Sequence, residues 1–283
     1  MNDTTIPNEL LTWEPFDFRD AARGSAIASA ERATFALGHD APTLAEWLRA
    51  RARLLRFAGI TSAATAGLAA RSALGVGAIA KSALLAHAWA ERVVTQLDLE
   101  LRIVGAAPPP GTLIVANHRS YVDIAAVLAA APAIFLAKVE VGSWPVLGLG
   151  ARIAHTIFVC REDPASRKQA IASMQRVLDQ GTSVALFPEG TTTKRPGMLP
   201  FHPGSFRMAA SRGYRVTPMA LVYPHAEDAW VDDESFVSHF LRRCGQRCLR
   251  VSLHIGPTFQ DDDPNRLKAR AEEWILGRIG GHR

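Results

Sequence analysis

The stretch VANHRSYVDI, Val115 to Ile124, runs from an apolar segment into polar residues, and it decides how the chain is interpreted. The apolar run is typical of a buried strand, with His118 directly after it and Asp123 at the start of the next helical pattern. On one continuous helix, five residues correspond to about 500° of rotation, which would separate the two side chains. They can meet only if His118 lies in the turn before the helix and Asp123 in its first turn.

Such a pair has a chemical use. A carboxylate can accept a hydrogen bond from one imidazole nitrogen and leave the other nitrogen as a base towards a hydroxyl group. The alternative interpretation is a capping turn whose acid interacts with the helix dipole. The spacing of His118 and Asp123 by itself favours neither.

From about residue 98, short β-branched runs alternate with helical patterns. The predicted strands are LRIVGA, GTLIVAN, AIFLAKV, HTIFVCR, SVALFPEG, RVTPMALVY and LRVSLHI. The predicted helices cover residues 122–131, 143–153, 164–180, 205–212, 235–244 and 265–279. This alternation predicts an α/β fold with a layered, largely parallel sheet flanked by helices and an active site at the strand ends.

Charged residues stand where several predicted strands end. Lys138 and Arg161 each end a strand, which suggests a site for an anionic head group, although solvated charges at strand ends are common. Glu189 follows Pro188, and Gly190 after it allows a tight turn. A carboxylate placed there can accept hydrogen bonds from a polyol or order nearby cations, or it is a simple turn carboxylate.

Composition narrows the function classes. The 283 residues are 48% hydrophobic with a net charge of +5, which suits phospholipid surfaces or phosphate-bearing substrates. Basic runs with interleaved aromatics are missing, so nucleic acid is not expected as a partner. The chain has no P-loop, no complete dinucleotide glycine motif and no G-x-S-x-G. Three cysteines without a signal peptide or zinc spacing predict a reduced compartment and no metal.

The N-terminal part differs from the rest. Residues 1–40 form a polar tail with at most a short helix around 19–36, residues 41–97 are predicted membrane-interface helices, and residues 98–283 the α/β domain. In TLAEWLRARARLLRF, residues 43–57, most apolar residues lie on one arc of a helix and most charges opposite. Such a helix either packs on the domain surface or lies in an anionic membrane interface.

The segment Ala58 to Ala90 is rich in Ala, Gly and Leu and is interrupted by Arg71 and Lys81. The favourable insertion energy of its apolar residues is cancelled by a central arginine, which costs about 2.5 to 3.5 kcal/mol. We therefore predict a monotopic helical hairpin, with a spanning helix as the alternative.

Several motifs together resemble one family. NHRSYVD resembles the NH-x4-D motif of the PlsC-like glycerolipid acyltransferases, also called the lysophosphatidic acid acyltransferase family. FLAKVEVGSWPVLG, TIFVCR, FPEGTTT, PFHPGSFRMA and RVTPMALV are similar to the later motifs in the same order. The resemblance covers about residues 98 to 225.

The resemblance implies an O-acyltransferase in which His118 is the general base on a lysolipid hydroxyl and Asp123 orients it. The alkoxide would attack the thioester of acyl-CoA or acyl-carrier protein without a covalent acyl-enzyme. The remaining implied roles are phosphate binding by Arg161 and Lys138, positioning of the glycerol part by Glu189, Gly190 and Thr191, and shaping of the acyl site by Pro218. Neither metal nor cofactor is implied, and the implied location is the cytoplasmic face of the membrane, as a peripheral or monotopic protein.

The acceptor is expected to be lysophosphatidic acid. Many family members have a second lysine where this chain has Val139, and arginine where it has Thr192. Fewer cations make another lysolipid, lyso-ornithine lipid first, the alternative acceptor. A non-catalytic lipid-binding relative is the hypothesis from another class.

Overall fold

A computed structural model describes residues 42–73, 79–144, 147–231 and 234–280. The predicted tail, including the short helix around 19–36, lies outside the described residues. Residues 42–283 belong to one compact unit. Its helices are α1 Leu44–Ala73, α2 Ile79–Gln96, α3 Val122–Ala130, α4 Leu147–Ile153, α5 Pro164–Asp179, α6 Gly204–Arg212, α7 Phe236–Cys244 and α8 Pro264–Gly280. Its strands are β1 Leu99–Val104, β2 Leu113–Ala116, β3 Ala133–Lys138, β4 Ile157–Val159, β5 Ser183–Leu186, β6 Val216–Val222 and β7 Leu249–Ile255.

Within the described residues, the seven strands form one sheet in the order β1-β7-β6-β2-β5-β3-β4. Neighbouring strands are parallel except β6 and β7, which are antiparallel. The predicted fold class, a largely parallel sheet flanked by helices, is confirmed. All seven strand patterns and the six helical patterns beyond residue 98 correspond to elements of this fold, with shifts of a few residues at their ends.

The central strand β2 shows how the core is built. Leu113 and Val115 face one apolar cluster, which contains residues of α5, α6 and α8, whereas Ile114 and Ala116 face a second cluster with residues of α2 and α3. Because side chains alternate across a strand, a continuous apolar run gives two buried faces. Helices therefore cover both sides of the sheet, and polar residues accumulate at the strand ends.

Helix α1 packs on the domain through a face that combines buried Arg53 with the apolar side chains of Leu54 and Phe57. Arg53 is 2% exposed, and its guanidinium donates to the carbonyls of Cys244, Gln246 and Arg247 at 2.8, 2.6 and 3.0 Å and to Asp98 Oδ2 at 2.9 Å. The last carbonyls of a helix have no intrahelical donors. The guanidinium of Arg53, which lies against the C-terminal end of α7, therefore pairs carbonyls at and just after that end.

Most of the apolar arc of α1 faces outward, although Leu54 packs on the domain. Its exposed side chains are Leu44 at 72%, Trp47 at 41%, Leu48 at 54% and Leu55 at 74%. The helix thus carries apolar side chains on two faces: one packs on the domain, with Phe57 and Ile60, and the other is exposed.

The predicted helical hairpin corresponds to α1 and α2, whose connection at residues 74–78 lies outside the described residues. None of the described helices is both long and apolar enough to cross a bilayer.

Candidate active site

Four neighbouring parallel strands bring the predicted site residues to one edge of the sheet. His118 follows β2, Glu189 follows β5, Lys138 ends β3 and Arg161 follows β4. Since the carboxyl ends of parallel strands lie at the same edge, residues far apart in the chain meet there. His118, Lys138, Arg161, Gly190 and Thr191 all line one cavity of about 400 Å³.

The motif NHRSYVD forms the hydrogen-bonded pair of His118 and Asp123 that its spacing allows. Nδ1 of His118 lies 2.9 Å from Oδ2 of Asp123, which is fully buried in the first turn of α3. The same oxygen accepts the backbone N–H groups of Arg119 at 2.5 Å and Ser120 at 2.8 Å. Asp123 therefore accepts hydrogen bonds from the backbone of the turn and also orients the imidazole. Because an ionised carboxylate only accepts hydrogen bonds, Nδ1 carries the proton and Nε2 is left as the base.

Asn117 fixes the end of β2. Its side-chain amide donates to the carbonyl of Leu221 at 2.9 Å and its oxygen accepts the N–H of Leu221 at 2.7 Å. Asn117 is fully buried. A paired amide of this kind ties the turn that carries His118 to strand β6.

A residue that the sequence did not single out completes the bonding of Asp123. The hydroxyl of Tyr223, directly after β6, donates to Oδ1 of Asp123 at 2.5 Å. Burial, together with the charge of Asp123, raises the pKa of Tyr223 well above its usual value, so the phenol is a neutral donor. The sequence feature that could have identified Tyr223 is its position at the end of the predicted strand RVTPMALVY, which pairs with β2.

The ring of His118 is fixed by stacking as well. The Phe187 ring lies parallel to the imidazole, with 3.9 Å between centroids and 2° between planes. Phe187 is the first residue of the motif FPEGTTT, which contains Glu189, so this motif packs directly on the base. A packed ring face leaves the edge with Nε2 as the side for proton transfer.

Glu189 accepts hydrogen bonds from the backbone of two separate segments. It is 4% exposed, and its two oxygens accept the N–H groups of His118 and Leu199, both at 2.6 Å. Burial raises the pKa of Glu189 to about 7, partly offset by those two hydrogen bonds. The contacts show a structural role beside the base. The predicted contact with the acceptor's glycerol part stays a prediction.

The two cations differ in environment. Arg161 is half-buried, and its guanidinium donates to the carbonyl of Gly190. Burial lowers the pKa of Arg161, an effect that the nearby Glu140 and Glu162 oppose. Lys138 is exposed at the cavity rim. The rim thus carries charges of both signs.

Pro218 lies away from the cavity. It is buried within β6 opposite Val115, and a Cβ added at Gly256 would come within 2.7 Å of its ring and 2.9 Å of Trp274. Its ring therefore packs on the face of the sheet that α8 covers, and the cavity lies on the other face. This position gives no support to the predicted role of Pro218 in shaping the acyl site, and that role stays a prediction.

Comparison with known proteins identifies the family. Residues 101–222 match the family model described as Acyltransferase. A 1-acyl-sn-glycerol-3-phosphate acyltransferase of Neisseria meningitidis is 38% identical over 193 residues, 65% of this chain and 76% of that protein. The chain belongs to the acyltransferase family. The resemblance to the PlsC-like glycerolipid acyltransferases is thereby confirmed, and the protein is an enzyme of this family.

One further relative and one solved structure are similar to this acyltransferase. A lyso-ornithine lipid O-acyltransferase of Pseudomonas aeruginosa is 37% identical over 174 residues, 59% of this chain and 66% of that protein. The crystal structure of the 1-acyl-sn-glycerophosphate (LPA) acyltransferase PlsC from Thermotoga maritima superposes with a TM-score of 0.64 at 20% identity, over 83% of this chain and 97% of that chain. The structural likeness supports the α/β fold.

The cavity of the acyltransferase is mostly apolar beyond His118. Helices α1, α2, α3 and α7 form its walls, with side chains that include Phe57, Leu68, Trp89, Leu128, Phe236 and Phe240. Tyr121 also lines it, and its hydroxyl lies 3.1 Å from Nδ1 of His239. Burial lowers the pKa of His239 to about 4, so this imidazole is neutral. A mostly apolar cavity of about 400 Å³ that is lined by a base can hold an acyl chain with its carbonyl next to that base.

Proposed function

We propose that this acyltransferase is membrane-associated and moves a fatty acyl group from acyl-CoA or acyl-carrier protein to the free hydroxyl of lysophosphatidic acid, giving phosphatidic acid. The observation that carries the proposal is the His118–Asp123 pair, with a 2.9 Å bond, at the mouth of an apolar cavity whose rim holds Arg161 and Lys138. The base, the apolar site and the cations supply the three functions that the reaction requires.

The reaction follows from this geometry. Nε2 of His118 takes the proton of the acceptor hydroxyl as its oxygen attacks the thioester carbonyl. The tetrahedral intermediate then collapses, the carbon–sulfur bond breaks, and the departing thiolate takes the proton from the imidazolium. Asp123 stabilises the imidazolium between these steps through the bond to Nδ1. A positioned base of this kind typically contributes about 10²–10⁴-fold.

The rim charges support a phosphate-bearing acceptor. The guanidinium of Arg161 and the ammonium of Lys138 lie at neighbouring strand ends on the same cavity. Charge-assisted hydrogen bonds to a phosphate are each worth about 1.5–3 kcal/mol. We therefore assign the acceptor head group to this rim.

A second acceptor has its own support. Glu140 and Glu162 lie close enough to Arg161 to act on its pKa, so the rim also presents carboxylates. A head group with both an ammonium and a carboxylate, such as that of lyso-ornithine lipid, fits a rim with charges of both signs. The similarity to the Pseudomonas aeruginosa lyso-ornithine lipid O-acyltransferase supports the same alternative.

Membrane association is supported by the orientation of α1. Its exposed Leu44, Trp47, Leu48 and Leu55 form an apolar stripe. A helix with such a stripe binds in the interface of a bilayer, and basic residues strengthen binding to anionic lipids. Helix α1 also walls the cavity through Phe57 and Leu68, which would bring the acyl site next to the lipid. Binding at the cytoplasmic face, the choice of acyl donor and the lack of a cofactor stay predictions.

Purified protein with palmitoyl-CoA and each acceptor in turn, followed by thin-layer analysis of the products, tests the proposal. We expect phosphatidic acid from lysophosphatidic acid, and about a thousandfold loss of rate in His118→Ala. His155→Asn, at an exposed histidine with a positive φ of 61° that asparagine tolerates, is the matched control. If only lyso-ornithine lipid is acylated, that lipid and not lysophosphatidic acid is the acceptor. Full activity of His118→Ala would contradict the mechanism. Wild type without turnover on either acceptor, both with palmitoyl-CoA and with palmitoyl-acyl-carrier protein, would indicate a binding protein.

A further inference from the structure

The side chain of Arg119 binds the main chain of the segment that follows Glu189. Its Nη1 donates to the carbonyl of Thr193 at 2.6 Å and to that of Arg195 at 2.7 Å, and its Nη2 donates to the carbonyl of Gly197. All three acceptors are peptide oxygens. The planar guanidinium can serve several carbonyls because its donors point in fixed directions.

The segment needs such a partner. Residues 191–200 contain neither helix nor strand, so their carbonyls lack the regular bonds of those elements. Gly190 and Gly197 have φ values of +81° and +83°, a conformation that favours glycine and turns the chain at both places. At the far end, the N–H of Leu199 donates to Glu189. Arg119 and Glu189 therefore both attach this segment to the base region.

Arg119 belongs to the catalytic turn as well. It follows His118 directly, its N–H donates to Oδ2 of Asp123 at 2.5 Å, and its carbonyl accepts the N–H of Trp230 at 2.9 Å. The segment that its side chain holds begins with Thr191 and Thr192, which line the cavity together with His118. One residue thus connects the turn with the base to a wall of the same cavity.

We propose that Arg119 is a positioning residue that fixes segment 191–197 against the turn of His118, so that the acceptor hydroxyl is held opposite the imidazole. This inference rests on the proposed function, because it assigns the segment to acceptor binding. Lysine keeps the charge but has one nitrogen, which cannot bond three carbonyls spread over five residues. Loss of Arg119 therefore affects the acceptor rather than the acyl donor, which lies in the apolar part of the cavity.

Steady-state kinetics of Arg119→Lys and Arg119→Met test the functional part. With lysophosphatidic acid and lyso-ornithine lipid as acceptors and palmitoyl-CoA as donor, we expect the acceptor KM to rise about tenfold and the donor KM to stay within about twofold. Arg215→Lys is the matched control, since exposed Arg215 donates one bond of 2.9 Å to the carbonyl of Pro110, outside the cavity. An unchanged acceptor KM, or equal rises for donor and acceptor, would overturn the proposal.

Limited trypsin digestion tests the structural part without turnover. Lys194 is exposed and is followed by Arg195, whose own peptide bond to Pro196 resists trypsin. We expect cleavage after Lys194 to be about tenfold faster in Arg119→Lys than in wild type and unchanged in Arg215→Lys. Equal cleavage rates would overturn the attachment by Arg119. Faster cleavage with an unchanged acceptor KM would overturn the positioning role alone.

The outcomes separate this inference from the proposed function. Wild-type protein that acylates neither acceptor contradicts the proposed function, and then also the positioning of an acceptor, whereas the trypsin comparison still decides the attachment. Circular dichroism verifies that each variant is folded. Should Arg119→Met fail to fold, Arg119→Lys, which keeps the charge, carries both measurements.

Discussion

The hydroxyl of Tyr223 donates to Oδ1 of Asp123 at 2.5 Å, while Oδ2 of the same carboxylate binds the imidazole of His118. Tyr223 and Asp123 are 100 residues apart in sequence. Asp123 thus has both oxygens engaged, one from the end of β6 and one from the catalytic turn. A carboxylate bonded on both sides cannot rotate away from the imidazole without losing a hydrogen bond in a buried site.

Tyr223→Phe is expected to lower kcat about tenfold with little change in KM, because a hydrogen bond to a charged group is worth about 1.5–3 kcal/mol and here orients the base. The control is Tyr214→Phe, which removes a bond of the same 2.5 Å length to Asp179 at the surface. Steady-state kinetics and thermal unfolding of both variants check this. If both variants keep the wild-type kcat, Tyr223 has no positioning role.

Glu189 makes stability depend on pH. Its folded pKa of about 7 lies above the ordinary value of 4.5, so between these values the folded state binds a proton that the unfolded state has released. The stability from this proton uptake is fully present below pH 4.5 and is lost as pH rises towards 7. We expect the free energy of unfolding of wild type, relative to Glu189→Gln, to decrease between pH 5 and 8. Urea unfolding at both pH values checks this, and a constant difference would contradict the raised pKa.

The buried Arg53 is expected to matter for stability. Arg53→Met leaves the carbonyls of Cys244, Gln246 and Arg247 without that donor, at a cost of about 2–4 kcal/mol. Arg56→Met, an exposed position on the same helix, is the control and should change stability by less than about 0.5 kcal/mol. Urea unfolding measures both. Equal effects of the two substitutions would show that the guanidinium of Arg53 contributes no more than a surface charge.

The outward stripe of α1 is expected to bind lipid. Leu48→Ser together with Leu55→Ser should weaken binding to vesicles of phosphatidylcholine and phosphatidylglycerol by about tenfold or more, since burying a leucine side chain contributes about 1.5–3 kcal/mol. Leu276→Ser, at a leucine of α8 that is 45% exposed, is the matched control. Vesicle sedimentation gives the bound fraction. Unchanged binding of the double variant would exclude this stripe as the membrane contact.

The helices and strands beyond residue 98, and their order, could be predicted from the sequence. Strand and helix periods differ, and glycine, proline and capping residues mark the ends, as Asp163 and Pro164 do for α5, where Asp163 accepts the N–H groups of Ala165 and Ser166. The offset between His118 and Asp123 was also readable, because both lie in one local turn. Local geometry depends on neighbours in the chain, and these are visible in the sequence.

The side-chain contacts between distant segments could not be predicted from the sequence. The bonds from Tyr223 to Asp123, from Glu189 to the N–H of His118 and from Arg119 to the segment after Glu189 all join separate elements. The orientation of α1 is of the same kind. The pattern of residues 43–57 predicts two unlike arcs, whereas the face that turns inward combines the hydrogen bonds of Arg53 with the apolar packing of Leu54 and Phe57. Hydrogen-bond satisfaction between distant segments has no local signature, because each partner's sequence is compatible with many others.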